Sequence, residues 1–321
     1  MKAWPKVYIL VLNWNGWRDT IECLESLLKL EYPNYQIVII DNGSTDESVS
    51  QLSLWKERHP EVVLLETGNN LGYAGGNNFG LRYVVEKGDF DYVWILNNDT
   101  VVEAKALFYL VQRMQEEPKA GICGSAVLHY ERRDVIWALG GIYDKWFAQA
   151  FHLMGDQKYD PDYLEKNLTK IEKKMSYVVG ASALVSRKFL EEVGLMAEDY
   201  FLFFEEIDWA TRARRKFSLV LAPRSVVYHK GGASLKRREG KQNGRFSLVF
   251  DQYTTRNRLR FTLKFYPYLL PILYLSILGY IIDRIRCGAW ENVAVIWKET
   301  TNHFAYLFKK LLKVFPGFEF F

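Results

Sequence analysis

Four short stretches hold most of the reactive or ligand-binding potential in this sequence: Asn13-Trp14-Asn15-Gly16, Asp41-Asn42-Gly43-Ser44, Asn69-Asn70-Leu71-Gly72 and Asn97-Asn98-Asp99. Each is dense in amide, carboxylate and hydroxyl groups that can hydrogen-bond a heterocyclic base, a ribose or phosphate oxygens. Taken singly, each reads as an ordinary turn, because Asn, Asp, Gly and Ser dominate turns for local reasons. Asp99 suits a further task. A carboxylate just past a strand end can hold a divalent cation that bridges two phosphates. Magnesium needs only one or two side chains and fills its octahedron with water and phosphate oxygens. The competing reading of Asp99 is a cap on the helix that follows.

A second acidic group, Glu205, Glu206 and Asp208, follows the apolar run Tyr200 to Phe204. Acids at a solvated helix N-terminus merely complement the dipole. Here the preceding run should be largely buried, and aromatic neighbours raise a carboxylate's proton affinity. Asp208 and Arg212 stand four residues apart and read as a pair that fixes their helix. His229 closes Val226-Val227-Tyr228-His229; isolated histidines near strand ends are more often structural than metal-ligating.

The elements that would position these groups are legible as alternating patterns. VYILVL (7–12), YQIVII (35–40), VVLLE (62–66) and YVWIL (92–96) read as strands. The first precedes a helical pattern through Ile21, Leu24 and Leu28, and the third precedes a helix expected near Asn77. Ser44-Thr45-Asp46-Glu47 and Thr100-Val101-Val102-Glu103 match capping boxes, with Leu107, Leu110, Val111 and Met114 on one face after the second. Repeated β-then-α units predict an α/β fold with a mostly parallel sheet flanked by helices. Ligands bind beyond the carboxyl ends of such strands, and all four polar loops fall there, which favours a shared site over four unrelated turns. Neither G-x-G-x-x-G spacing nor a P-loop occurs, which weighs against dehydrogenase and P-loop readings.

The order VLNWNG, DNGSTDES, NNLGYAGGNNFG, NND, VVGASALVSR, GLMAEDYFLFFEEIDWATRAR and APRSVVYHKGG resembles the family 2 glycosyltransferases, and most their rhamnosyltransferase-type branch, over about residues 5 to 260. The resemblance implies a GT-A type, Rossmann-like fold, a nucleotide-diphosphate sugar donor, a divalent metal (Mg2+ or Mn2+) and inversion at the anomeric carbon. By position it places Asp41 against the base, with Asn13 and Asn15 shaping the pocket. Asn42, Ser44, Asn70, Gly72, Asn77 and Asn98 line the rest of the nucleotide-sugar site. It gives the metal to Asp99 and His229, with Asn97 where the family's first acid would stand. Glu206 occupies the place of the general base, usually Asp, and Glu205 orients acceptor or base. The implied activity is transfer of a hexose, rhamnose being the first candidate, from a dTDP- or UDP-sugar to a lipid-linked or polymeric saccharide in cell-surface polysaccharide synthesis. A sugar nucleotidyltransferase and a non-catalytic saccharide-binding protein are the alternatives. The first lacks support because VLNWNGWRD is not a triphosphate-gripping glycine loop.

Residues 1–228 are expected to form the nucleotide-sugar-binding catalytic domain, and 229–321 a basic lid plus a helical apolar extension. Lys230, Lys236, Arg237, Arg238, Lys241 and Arg245 make the lid basic, suited either to a diphosphate leaving group or to solvent or anionic lipid. Residues 265–282 are apolar but interrupted by Pro267 and Pro271, leaving Ile272 to Ile282 as a clean helix, short for a span. Flanking Arg256, Arg258, Arg260, Lys264, Arg284 and Arg286 favour a segment lying in a cytoplasmic membrane surface over packing on protein or crossing the bilayer. Three scattered cysteines indicate a reducing compartment, and a net charge of +4 gives no reason to expect nucleic acid. The expectation is a cytoplasmic protein, peripheral on the inner face of the cell membrane.

Overall fold

Two compact units divide the chain, Met1–Tyr143 with Ala150–Arg238 and Asp144–Gln149 with Glu239–Phe321. The computed structural model describes residues 4–231 and 247–314. In the first unit β1 (Val7–Asn13), β2 (Tyr35–Asp41), β3 (Val63–Glu66) and β4 (Tyr92–Asn97) are the four apolar runs, paired in parallel in the order β3-β2-β1-β4. Crossovers run through α1 (Trp17–Leu27), α2 (Ser48–Glu57) and α3 (Gly72–Lys87). Beyond β4 come β5 (Thr100–Val102), α4 (Ala106–Glu116), β6 (Ala120–His129), β7 (Ile136–Ala138), β8 (Gly141–Asp144) and β9 (Gln149–His152). Then follow α5 (Pro161–Lys166), α6 (Leu168–Lys174), β10 (Ser182–Ser186), α7 (Arg187–Val193), α8 (Glu205–Ala213) and β11 (Ser218–His229).

The sheet is mixed. β10 inserts antiparallel between β4 and β6, while β11 runs parallel to β6 and antiparallel to β5. This reversal matters for the site. Ser182 pairs with Leu96, so the residues just before β10 arrive at the tip of β4, where Asn97 N–H donates to Ala181 O at 3.2 Å. Side chains alternate across the sheet. Leu10, Val38, Ile40 and Ile95 face a layer containing Leu81 and Val84 of α3, and Ile9, Val11, Ile39 and Leu96 face Leu24 and Leu27 of α1 and Leu107 and Leu110 of α4. Each such side chain contributes about 1.5–3 kcal/mol on burial.

Both capping-box readings fail. Helix α2 starts at Ser48 because the Ser44 hydroxyl donates to Asp41 instead, and Ser48 N–H is met by Asp46 Oδ1 at 2.9 Å. Thr100 to Val102 form a short strand against β11, the Thr100 hydroxyl turns back to Asn97 O at 2.7 Å, and the next helix begins at Ala106. In both cases a local sequence match lost to tertiary hydrogen bonds. Helix α3 starts at Gly72, earlier than expected, and so draws the glycine-rich loop into its first turns.

In the second unit α9 (Leu248–Phe265) is followed by a 3-10 turn (Pro267–Leu269), α10 (Leu270–Arg286) and α11 (Trp290–Val314). The fully buried Asp251 of α9 accepts from Tyr280 Oη at 2.8 Å and from Arg284 Nε at 2.8 Å, both on α10, and from Asn292 Nδ2 of α11 at 2.8 Å. Removing one partner of so buried a pair costs about 3–5 kcal/mol. Pro271 sits in the first turn of α10, where a missing N–H costs nothing, so the helix is longer than the proline positions implied. Pro267–Arg286 is long and apolar enough to cross a membrane, which removes the length argument against a span.

Candidate active site

The parallel register brings Asn13 level with Asp41 and Asp41 level with Glu66, so the polar loops share one sheet edge. Asn13 and Asp41 are buried there, with Asn13 Nδ2 donating to Asp41 Oδ2 at 2.7 Å. Ser44 adds its N–H to Asp41 Oδ1 at 2.9 Å and its hydroxyl to Oδ2 at 2.6 Å. A carboxylate offers about four acceptor directions; three are engaged, and Oδ1 keeps one. Asn15, in the left-handed region at φ 51°, joins the first two loops by accepting from Thr45 N–H at 2.7 Å. The Asn42 amide donates to Gly72 O at 3.1 Å and accepts from Leu71 N–H at 3.1 Å, which ties the third loop to the second. Asn70 closes that loop through Gly72 N–H at 2.9 Å. Gly72 needs a glycine: its φ is +74° and a Cβ would stand 2.3 Å from Phe201 O. Asn77 lies inside α3 and donates to Tyr73 O at 3.0 Å, while its own Oδ1 is buried without a hydrogen-bond partner.

Thr20 was not legible as a site residue. From α1 its hydroxyl donates to Asn13 Oδ1 at 2.8 Å and accepts from Asn98 Nδ2 at 2.9 Å, so it links the first loop to the fourth. Its only sequence signal is its position four residues past Gly16, one helical turn into α1.

Asp99 and His229 meet as the resemblance implied. His229 ends β11 opposite Thr100 of β5, and its Nε2 lies 3.1 Å from Asp99 Oδ1, with both side chains buried. Neither ring nitrogen makes a hydrogen bond. Two ligands cis on a small octahedral cation, each about 2.1 Å from it, lie about 3 Å apart. A carboxylate oxygen and an imidazole nitrogen at that separation without hydrogen-bond geometry therefore fit a shared divalent ion. Trp137 stands edge-on to the His229 ring, 4.4 Å between centroids, and fixes its plane. Asn97 ends β4 two residues before Asp99 and is half-buried, a neutral group where a second acid would raise affinity. Among the described residues no cluster of three His, Cys, Asp or Glu side chains could hold a metal, so the remaining ligands would come from elsewhere.

Lys230 is paired within the fold. Its ammonium is held by Asp19 and Glu22 of α1 and its N–H donates to Asp99 O at 3.0 Å, which anchors the chain where it leaves His229. Lys236, Arg237, Arg238, Lys241 and Arg245 lie outside the described residues.

Glu205 and Glu206 open α8 after Phe201, Phe203 and Phe204, all at positive φ. Bulky residues in that region are strained and persist only where packing over-determines them. Asp208 is buried and fixes the helix through Arg212 Nε at 2.7 Å and Tyr200 Oη at 3.0 Å, the pairing expected of it. Glu205 is buried with Oε2 unpartnered, and burial together with the Glu206 charge pushes its carboxyl well above the ordinary 4.5. Burial also raises Glu206, against the opposing pull of its own and the Gly180 N–H groups. The Tyr73 hydroxyl, raised by burial and then by the charges of Glu206, Glu205 and Asp99, feels all three carboxylates. Asn97 N–H donates to Ala181 O at 3.2 Å and a Cβ on the neighbouring Gly180 would stand 2.4 Å from Glu206 Oε1, so the tip of β4 and the second acidic group occupy one region.

The raised Glu205 carboxyl sets a sign for stability. The folded chain keeps a proton that the unfolded chain releases near 4.5, so stability falls as pH rises from there through the folded value. Glu205→Gln removes that dependence: its melting temperature relative to wild type should climb as pH rises above about 4.5 in thermal scans. A constant difference would show that Glu205 is not held neutral.

A mixed sheet whose parallel half ends in nucleotide-sized polar loops, with a carboxylate and imidazole at the tip of the fourth strand, defines a GT-A type architecture. The sequence profile described as Glycosyl transferase family 2 matches residues 8–194, more than half of the chain, and the chain belongs to that family. It is 26% identical over 181 residues to the low-salt glycan biosynthesis hexosyltransferase Agl10 of Haloferax volcanii, covering 56% of this chain and 54% of that one. It is 30% identical over 115 residues to a poly-beta-1,6-N-acetyl-D-glucosamine synthase of Staphylococcus epidermidis, covering 36% and 27%. In structure it resembles the mannosyltransferase PcManGT from Pyrobaculum calidifontis in complex with GDP-Man and Mn2+, with TM-score 0.57, 16% identity, and coverage of 94% and 88%. The chain thus spans about half, or less, of the length of the two sequence relatives. Glu205, Glu206 and His229 lie beyond the profile match; the fold returns His229 to the loop edge through β11 and brings Glu206 there beside Gly180.

Proposed function

We propose that this protein is an inverting, divalent-metal-dependent glycosyltransferase that moves a hexose from a dTDP- or UDP-sugar to a hydroxyl of a saccharide, in glycan or polysaccharide synthesis. The observation that supports this reading is the run of contacts at the tip of β4, where Asn97 N–H donates to Ala181 O and the adjacent Gly180 closes on both the Tyr73 hydroxyl and the Glu206 carboxylate. Asn13, Asp41, Asn42 and Ser44 bind the nucleoside, with Asn15, Asn70, Gly72, Asn77 and Asn98 shaping the loops around it. Asp99 and His229, with Asn97 nearby, hold the cation, which when bound neutralises charge on the diphosphate. Glu206, half-buried, takes the acceptor hydroxyl proton when in its carboxylate form. The oxygen then forms its bond to the anomeric carbon as the carbon–oxygen bond to the diphosphate breaks, and the nucleoside diphosphate leaves with the electron pair. Motif resemblance points to rhamnose, whereas the two sequence relatives are named for hexosyl and N-acetylglucosamine chemistry and the structural neighbour for mannose. A thermal-shift screen of nucleotide sugars with Mg2+ or Mn2+, followed by nucleotide release with saccharide acceptors, tests the proposal. Absence of both stabilisation and release across the panel would defeat it.

The reading includes a lipid-linked acceptor and a peripheral place on the cytoplasmic face of the membrane. Leu275, Leu278, Ile282 and Ile285 form an exposed stripe along α10, opposite the buried Leu273, Ile277 and Ile281. Trp290, Trp297, Phe304 and Phe308 are exposed along α11, with Lys298, Lys309 and Lys310 among them. Exposed tryptophan, aliphatic stripes and lysine together suit an anionic lipid interface. Co-sedimentation with vesicles containing anionic lipid should fall at least tenfold for a Leu275→Ser, Leu278→Ser, Trp297→Ser variant; equal binding by that variant would remove this face from the reading.

A further inference from the structure

Tyr73 is the second residue of α3, and its hydroxyl donates to Gly180 O at 2.8 Å. Gly180 lies just before β10, and a Cβ built on it would stand 2.4 Å from Glu206 Oε1 and 2.6 Å from Tyr73 Oη. Nothing in its φ calls for glycine; the requirement is space, because base and tyrosine both close on its Cα. The Gly180 N–H in turn favours the Glu206 carboxylate. One short backbone segment therefore holds the carboxylate on one side and is held by Tyr73 on the other. The opposite end of the same helical turn is tied to the donor loop. Asn42 grips Gly72 O and Leu71 N–H, while Tyr73 N–H donates to Phe201 O at 2.6 Å, in the segment that leads to α8.

We propose that Tyr73 is a positioning residue that acts through Gly180 to hold the Glu206 carboxylate, so that the first turn of α3 links the donor loop to the base. This rests on Glu206 being the base. The charged and titratable groups around Glu206 are Glu205 on its own helix, Tyr73 on α3 and Tyr177 on the segment leading to β10, whose hydroxyl is raised by burial and by both glutamates. Tyr73 is a donor throughout the working range, because burial holds its hydroxyl well above its ordinary value. Deleting that donor frees Gly180 to withdraw its N–H, which removes an interaction favouring the charged carboxylate.

The test compares full-length wild type with Tyr73→Phe, which keeps the ring, and Gly180→Ala, which fills the space. Readouts are kcat, donor KM, the acid limb of the rate profile, and the Glu206 carboxyl carbon followed by NMR titration and assigned through Glu206→Gln. Tyr73→Phe should lower kcat by about 10- to 100-fold with donor KM nearly unchanged. The acid limb and the NMR midpoint should move together to higher pH. Gly180→Ala should show the same or a larger loss, and if it does not fold, Tyr73→Phe decides alone. Reduced kcat with an unmoved midpoint would mean that Tyr73 only supports the fold, and that outcome overturns the proposal, as does wild-type behaviour in both readouts. If wild type transfers no sugar but the midpoint still moves in Tyr73→Phe, the positioning contact stands and the assignment of function fails.

Discussion

Glu206→Gln is expected to lower kcat by about 10²–10⁴-fold, the usual contribution of a positioned general base, while donor affinity stays within about threefold. The amide preserves the shape of the carboxylate but cannot accept the acceptor's proton. Glu206 is the second residue of a helix whose first turn is held by buried Asp208, so a change at its tip should leave the backbone in place. The nearest donor-side contacts run through Asn42, Gly72 and Tyr73 and do not use the Glu206 side chain. Calorimetric titration of the donor and steady-state rates on the same preparation separate the two effects. Burial raises the Glu206 carboxyl above 4.5, so the wild-type rate should fall with decreasing pH through a midpoint above that value, and the residual rate of Glu206→Gln should lose this limb. Weakened donor binding with transfer retained would reassign the base to another group.

Strand ends and local caps were unequally legible, for a physical reason. The four apolar runs became β1 to β4 within a residue or so, because burial on both faces of β1, β2 and β4 demands a continuous apolar stretch and nothing local competes with it, while β3 is a half-buried edge strand. Their shared direction follows from the β-then-α order, and it places Asn13, Asp41 and Asn97 on one edge, as the register shows. Ser44 and Thr100 were misread because a capping box is a local preference worth about 1 kcal/mol, easily outweighed by a tertiary partner such as the Asp41 carboxylate. Thr20, Gly180 and Trp137 act at the site through contacts between segments distant in sequence, which leave no periodic trace. The antiparallel β10 was equally hidden. SALVS carries no directional signal, yet its reversal is what delivers Gly180 to the tip of β4 and hence the glutamate pair to the loop edge.

Asp99→Asn should abolish the part of donor affinity that depends on metal, raising Kd by about 10²-fold in saturating Mn2+, or about 2.7 kcal/mol. With Asn97 already neutral, Asp99 is the acid of this loop, so its charge matters more than it would beside a second carboxylate. The amide can still offer an oxygen at nearly the same position, which makes the expected loss one of charge attraction rather than pocket shape. His229, 3.1 Å away, remains as a neutral ligand unable to neutralise a divalent ion alone. The decisive comparison is fourfold: wild type and variant, each titrated with donor in Mn2+ and in chelator. Wild type in chelator and the variant in either condition should bind alike, because all three lack the anchored cation. His229→Ala should fall between them, since removing an uncharged ligand leaves the carboxylate in place. Metal-dependent binding surviving intact in Asp99→Asn would instead put the ion on other ligands and detach the diphosphate from the tip of β4.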